Sequence, residues 1–320
     1  MRVRCRALLA ACLAMIVLPS ADGKAPPRLP RATRQIAVTF DDLPATSGDY
    51  DKMASVTERL LKHIRDHRVP AVGFVNENKL FVDGNEVAAR TALLEKWLDA
   101  ELELGNHTYS HVSIDSVPFE AYRDDLIRGE GVTRRLLARR GMKLRYFRHP
   151  QLRTGPTPEY KAALDRLLAR RGYTVAPVTI DNNDYIFAAV YARAKVRGDE
   201  PQMAKIVSAY LSYMEGVFAH FERVSTEFLG YEVRQTLLLH ANELNADCFD
   251  GLARMMRARG YRFISLEKAL KDSAYRLPEA QTKRGLSWLH RWMMAKGQKV
   301  QPEPEEQSFI RELFQAYRQP

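Results

Sequence analysis

From Gln35 to about residue 272, short apolar or β-branched runs alternate with stretches whose apolar residues recur at helical spacing. The runs fall at 36–40, 69–75, 102–104, 146–148, 174–180, 236–240 and 262–265, each bounded by Gly, Pro, Asp or His. Between them, Met53, Val56, Leu60, Leu61 and Ile64 keep i, i+3, i+4 spacing, as do Tyr160, Ala163, Leu164, Leu167 and Leu168. Arg170-Arg171-Gly172 and Arg257-Ala258-Arg259-Gly260 each close a helix with basic residues and then glycine. Seven strands separated by helices predict an α/β fold, a parallel sheet curled into a closed or nearly closed barrel. The fifth run is the weakest strand, because Pro177 inside it cannot donate to a ladder.

The polar residues at the ends of these runs point to chemistry. Asp41 and Asp42 follow the first, His107 and His111 the third, Asp181 the fifth, while Arg148 ends the fourth and His240 the sixth. All seven fall at C-terminal strand ends, the face on which α/β barrels build active sites. Two adjacent carboxylates at the end of a buried strand are costly unless neutralised, and a divalent cation does this. His107 and His111 are four apart, which on a helix places both imidazoles on one face. With Asp42 they make three N/O ligands and leave a coordination position open, as catalytic zinc sites do. Zinc is the expected ion; cobalt or nickel would also suit this donor set. Asp41, whose side chain must diverge from that of its neighbour, suits a general base. Arg148 is placed to clamp it in its ionised form. His240 follows Leu237-Leu238-Leu239 and is the candidate general acid. Asp181 is the carboxylate expected to keep that imidazole protonated, chosen over Asp184 because it directly follows Ile180 at the strand end. The backbone N–H of Gln151, after Pro150, is a candidate oxyanion donor.

The rest of the chain reads differently. Residues 1–23 run from a basic Met1-Arg2-Val3-Arg4-Cys5-Arg6 through an apolar stretch to Pro19-Ser20-Ala21-Asp22-Gly23, the layout of a secretory signal peptide. Residues 24–34, with three prolines, read as a linker. The expected protein is therefore exported, periplasmic or secreted, with no membrane span after cleavage. Cys5 and Cys12 lie in the leader and leave Cys248 alone, so no intramolecular disulfide is expected. The formal charge of +10 drops to +8 when the leader goes, a basic surface with no helix-turn-helix, zinc-finger or RNA-binding signature. Nucleic acid is not an expected partner, and oligomeric state is not legible. Residues 186–235 form a helical insertion whose scattered aromatics read first as packing. Residues 273–320 read as a basic, loop-rich extension on the outside, which includes the acidic Pro302-Glu303-Pro304-Glu305-Glu306. His63, His67, His220 and His290 are taken as surface or packing histidines, and the sequon at Asn106-His107-Thr108 as coincidence.

The ordered set of polar residues resembles the polysaccharide deacetylases of carbohydrate esterase family 4, the NodB-homology domain. Thr39-Phe40-Asp41-Asp42 is similar to the first motif of that family and Gly105-Asn106-His107-Thr108-Tyr109-Ser110-His111 to the second. Arg148-His149-Pro150, Asp181-Asn182-Asn183-Asp184-Tyr185 and Leu238-Leu239-His240 resemble the third, fourth and fifth. Gln151 and Leu152 stand where the family has Tyr and Gly, and Tyr185 stands where it has Trp, which alters walls of the pocket. The resemblance implies a distorted (β/α)7 barrel over residues 35–272 and metal-dependent removal of acetyl groups from N-acetylated sugars. It also implies Asp41 as base, Asp42, His107 and His111 as ligands, and His240 as acid. An O-acetyl esterase would use the same site. A non-catalytic glycan-binding module would have no use for Asp41, Arg148, Asp181 and His240.

Overall fold

The structure, a computed structural model, describes residues 34–318; the predicted leader and all but the last residue of the predicted linker lie outside the described residues. The strands are β1 (Arg34–Leu43), β2 (Val72–Val75), β3 (Phe81–Val82), β4 (Asn85–Glu86), β5 (Glu103–Asn106), β6 (Tyr146–Phe147), β7 (Thr174–Val175), β8 (Gln235–His240) and β9 (Tyr261–Phe263). The helices are α1 (Tyr50–Asp66), α2 (Ala88–Asp99), α3 (Phe119–Arg128), α4 (Gly131–Ala138), α5 (Pro158–Arg170), α6 (Asp184–Val196), α7 (Glu200–Leu229), α8 (Glu243–Ala258), α9 (Leu266–Leu270), α10 (Trp288–Ala295) and α11 (Ser308–Arg318).

β1 is buried at every residue from Ile36 to Asp41, on both of its faces, so it must be central with partners on both edges. The sheet runs β7-β6-β5-β2-β1-β8, with β9 pairing the first residues of β1, and every pair in it is parallel. Seven strands in one curled sheet with helices around it is the (β/α)7 half-barrel that the alternating pattern predicts. Amphipathic α1 lays Met53, Val56, Leu60, Leu61 and Ile64 onto the sheet, the residues whose spacing announced the helix. Asp49 caps its first turn by accepting from the Lys52 N–H at 2.9 Å. The β3–β4 hairpin stands apart from the sheet and was not foreseen.

The fifth strand departs from expectation in length. β7 stops at Val175, and residues 176–183 are irregular apart from a single bridge between Ile180 and Leu237. Pro177 lacks the N–H a ladder needs, so the barrel is joined on this side by irregular contacts. The Thr179 and Ile180 N–H groups share the Thr236 carbonyl at 3.0 Å, the Leu238 N–H donates to the Ile180 carbonyl at 3.2 Å, and Asn182 Nδ2 donates to the Leu238 carbonyl at 2.7 Å. The interrupted ladder leaves carbonyls of this segment to be satisfied from elsewhere. The C-terminal extension supplies the donors: Trp288 N–H to the Val178 carbonyl at 2.7 Å, and Ser287 Oγ to the Thr179 carbonyl at 2.8 Å.

This corrects the reading of residues 273–320 as an outside appendage. Leu286 through Met293 are all buried, His290 and Arg291 completely. Arg291 inserts its guanidinium among the carbonyls of Leu152, Ala280, Arg284 and Leu286, with donor distances of 2.7–3.3 Å, and so ties the extension to the loop after β6. In the insertion, α7 is capped by Asp199 at its start and by left-handed Gly230 (φ 78°) at its end. Tyr191, Tyr210, Tyr213, Phe218 and Phe221 are buried there as core, and Phe187 packs between Tyr210 and Tyr213 at ring distances of 5.4 and 5.0 Å.

Candidate active site

The C-terminal end of β1 delivers Asp41 and Asp42. Asp42 has φ 70°, a left-handed conformation in which Asp is tolerated better than most residues. Lys79, on the 3₁₀ turn after β2, donates from Nζ to the Asp42 carbonyl at 3.0 Å and stands 3.7 Å from Asp42 Oδ1. Burial works to raise the Asp42 pKa, but Lys79, His240, His107 and His111 outweigh it and hold the carboxyl below the usual range.

His107 follows β5, its N–H bonded to the Val75 carbonyl at 3.0 Å. Its Nδ1 faces the Arg148 carbonyl at 2.9 Å, so Nδ1 carries the proton and Nε2 offers its lone pair. Nε2 of His107 and Nε2 of His111 each lie 3.9 Å from Asp42 Oδ1. The i, i+4 spacing does not act through a helix, and that expectation is corrected: residues 107–112 are a loop, left-handed at Thr108 (φ 66°) and His111 (φ 57°). Asn106 builds the loop by accepting the Thr108 N–H at 2.7 Å, and Thr108 Oγ1 accepts the His111 N–H at 3.1 Å. Asn106 is completely buried, its amide donating to the Leu126 carbonyl and Tyr173 Oη, so it serves the loop rather than a glycan.

The donor atoms of Asp42, His107 and His111 lie within 4.8 Å of one another. Asp42 Oδ1 is buried without a hydrogen-bond partner, and burial lowers the pKa of both histidines, keeping them as neutral lone-pair donors. One carboxylate and two neutral imidazoles converging on a point, with an orphaned oxygen among them, fit a divalent cation.

Arg148, completely buried at the end of β6, organises the other half. Its Nη1 donates to both oxygens of Asp41 at 3.2 and 3.3 Å, Nη2 to Thr39 Oγ1 at 2.9 Å, and Nε to the Ala176 carbonyl at 2.8 Å. Its side chain thus clamps Asp41 while its carbonyl orients His107. Burial pushes Asp41 up to about 6 against the pull of Arg148.

His240 ends β8. Its Nδ1 meets Asp184 Oδ1 at 2.6 Å, and its N–H donates to Asp184 Oδ2 at 2.8 Å. The expected partner, Asp181, is therefore corrected to Asp184, the first residue of α6. The early end of β7 leaves Asp181 in an irregular turn, where it accepts the Asn182 N–H, while the start of α6 buries Asp184 under His240. Asn245 Nδ2 supports Asp184 at 2.6 Å. Burial alone would lower the His240 pKa; Asp184, with Asp42 and Asp41, overcomes it and pushes it up to about 10.

Asp41, His107, His111, Asp181, Tyr185 and His240 all line one cleft of about 440 Å³, which Gln151 and Gly285 border. Gln151 sits in a tight turn at φ 56°. Tyr185 is half exposed beside Phe314 of α11, at 6.3 Å between rings. Lys79 escaped the reading of the sequence, and Thr39 entered it only inside the first motif, with no role of its own. Thr39 had a signal, a polar residue at an alternate position of a buried strand; Lys79 had none.

Residues 29–176 match the sequence family described as Polysaccharide deacetylase. The matched stretch, a little under half of the chain, is similar to a polysaccharide deacetylase domain of NodB homology. The match takes in Asp41, Asp42, His107, His111 and Arg148 and ends before Asp184 and His240. No curated protein matches the chain. Among solved structures it is similar to the peptidoglycan deacetylase PdaC from Bacillus subtilis, at 18% identity over 75% of this chain and 93% of that one, TM-score 0.47. It is similar to the Bc1960 peptidoglycan N-acetylglucosamine deacetylase, at 17% identity over 80% and 92%, TM-score 0.49. It is also similar to BA3943 from Bacillus anthracis, a carbohydrate esterase family 4 pseudoenzyme, at 16% identity over 75% and 66%, TM-score 0.48.

Proposed function

We propose that the protein is an exported, zinc-dependent deacetylase that hydrolyses the amide of an N-acetylated hexosamine glycan. The observation that carries this reading is the pair of countercharged groups on either side of the candidate metal triad: Asp41 held by Arg148, and His240 held by Asp184. A binding module has no use for such a pair. When bound by Asp42, His107 and His111, a divalent ion supplies Lewis acidity toward the acetyl carbonyl.

The chain's own residues do the rest. Asp41, without a proton and oriented by Arg148, accepts one from the attacking water. The Gln151 N–H donates to the oxygen that gains charge in the tetrahedral state. His240, with Nδ1–H on Asp184, gives a proton from Nε2 to the departing amine nitrogen. Tyr185 forms a wall for the sugar ring. Export rests on the signal-like residues 1–23, and no helix among the described residues is long and apolar enough to cross a membrane.

Acetate release from N-acetyl-chitooligosaccharides and from a chromogenic O-acetyl ester, side by side, tests the reading. Amide hydrolysis that disappears with a chelator and returns with zinc supports it. Turnover of the O-acetyl ester alone would replace it with an esterase, and no release from either would leave a binding protein.

A further inference from the structure

The cleft of the reaction centre does not end at Asp181. It continues past Asp181, Asn183 and Gly285 into a second chamber of about 490 Å³, whose far walls are His290, Pro302 and Glu303 of the C-terminal extension. The acidic run Glu303–Glu306 is thereby drawn into the molecule: buried Glu306 accepts from Asn183 Nδ2 at 2.6 Å, and this bond fixes the run beside the turn that carries Asp181. Two carboxylates, Asp181 and Glu303, then line one chamber. Arg284 lines it too, but its side chain is exposed and its charge is solvated.

His290 gives the second, independent sign of a ligand. It is 0% exposed and lines the chamber, yet its Nε2 meets no hydrogen-bond partner. Its Nδ1 faces Glu303 Oε1 at 3.0 Å, out of line for a hydrogen bond. A buried polar group without a partner is costly and marks a position that something else completes.

On the deacetylase reading, we propose that this chamber is a subsite for a neighbouring sugar that carries a free 2-ammonium group, held between Asp181 and Glu303 with a ring hydroxyl on His290. The protein would then favour glycans that are already partly de-N-acetylated. An ammonium meets both carboxylates with charge-assisted hydrogen bonds, whereas an acetamido group offers one weak donor and a methyl to be accommodated.

Calorimetric titration of the full chain with a glucosamine tetramer and with an N-acetylglucosamine tetramer tests this, at about pH 7. There a primary amine still carries its proton, and Asp181, pushed up to about 7 by burial and then by Glu303, gives up its own to a bound ammonium. The expected result is tighter binding of the amino tetramer. Glu303→Gln should weaken that binding roughly tenfold, the scale of one charge-assisted bond, and leave the N-acetyl tetramer unaffected. Glu303→Asp, which keeps the charge, should retain the preference. Equal affinity of wild type for the two tetramers, or an equal loss for both in Glu303→Gln, would overturn the proposal. Acetate release measured on the same preparations separates the two readings. Selectivity for the amine without acetate release from any N-acetylated glycan sinks the deacetylase and leaves the subsite; acetate release without that selectivity sinks the subsite alone.

Discussion

Asp41 and His240 are register partners on adjacent parallel strands, the last pair of the β1–β8 ladder. Register partners project from the same face, so a single ladder sets two titratable groups side by side at roughly the 4.8 Å spacing of neighbouring strands. Each then meets its own countercharge from a different element, Arg148 from β6 and Asp184 from α6. The proton acceptor and the proton donor of the proposed reaction are thus fixed by backbone pairing, and their charge states by side chains arriving from elsewhere.

The Asp184–His240 pair predicts a pH effect. A carboxylate at 2.6 Å raises the imidazole pKa, so removing its charge lets burial dominate and His240 loses its proton at lower pH. Asp184→Asn should move the alkaline limb of the pH–rate profile to lower pH and reduce turnover while metal content stays. Asp181→Asn should leave that limb in place. Rates between pH 5 and 11 for the two variants decide; a shift in Asp181→Asn alone would reverse the assignment.

Asp41→Asn tests the base. The amide is nearly isosteric and cannot accept the proton, so the rate should fall on the order of 10²–10⁴ with metal retained. Near-normal turnover would show that another group takes the proton.

Removing any of Asp42, His107 or His111 should cut metal content and activity together, since three ligands leave no redundancy. Metal analysis of His111→Ala after dialysis is the check, and full zinc occupancy would eliminate this site.

Gly129 offers a test of the loop without touching a ligand. A Cβ there would stand 2.6 Å from the Thr108 carbonyl carbon and the Tyr109 nitrogen, which are main chain and cannot swing aside. Gly129→Ala should displace the loop and weaken zinc affinity while far-UV circular dichroism stays native. Unchanged affinity would mean the loop yields without moving His111.

Glu232 is pushed up to about 7, chiefly by burial and then by nearby Glu222, although Gln235 and Tyr261 donate to it. A carboxyl whose folded pKa exceeds its unfolded value favours the native state while protonated, and that contribution is lost as pH rises from about 4.5 to 7. Glu232→Gln should therefore raise Tm relative to wild type more at pH 8 than at pH 5. A larger gain at pH 5 would contradict this sign.

Much of this was legible in the chain. The apolar runs, the Asp41-Asp42 pair, the two histidines and Arg148 each carry a local signal, and all lie where the strand list puts them. Asp184 was legible only as the second choice, because where β7 ends depends on a ladder that Pro177 breaks, and strand ends are set by pairing rather than by composition. The histidine loop was misread as a helical turn because spacing alone does not distinguish a helix from two left-handed residues. Lys79 and the inward packing of the extension left no trace, since both reach the site through tertiary contacts with no periodic pattern.

The place of Arg291 in the chain has a consequence for how the protein matures. The loop holding Gln151 is tied down by a guanidinium that lies about 140 residues further along the sequence. A ribosome that has made every residue of the candidate metal triad, and His240 as well, has still not made the strut that sets one wall of their cleft. The full cleft can therefore form only after α10 has emerged and docked, and a chain clipped before it would hold the candidate metal ligands around an unfinished pocket.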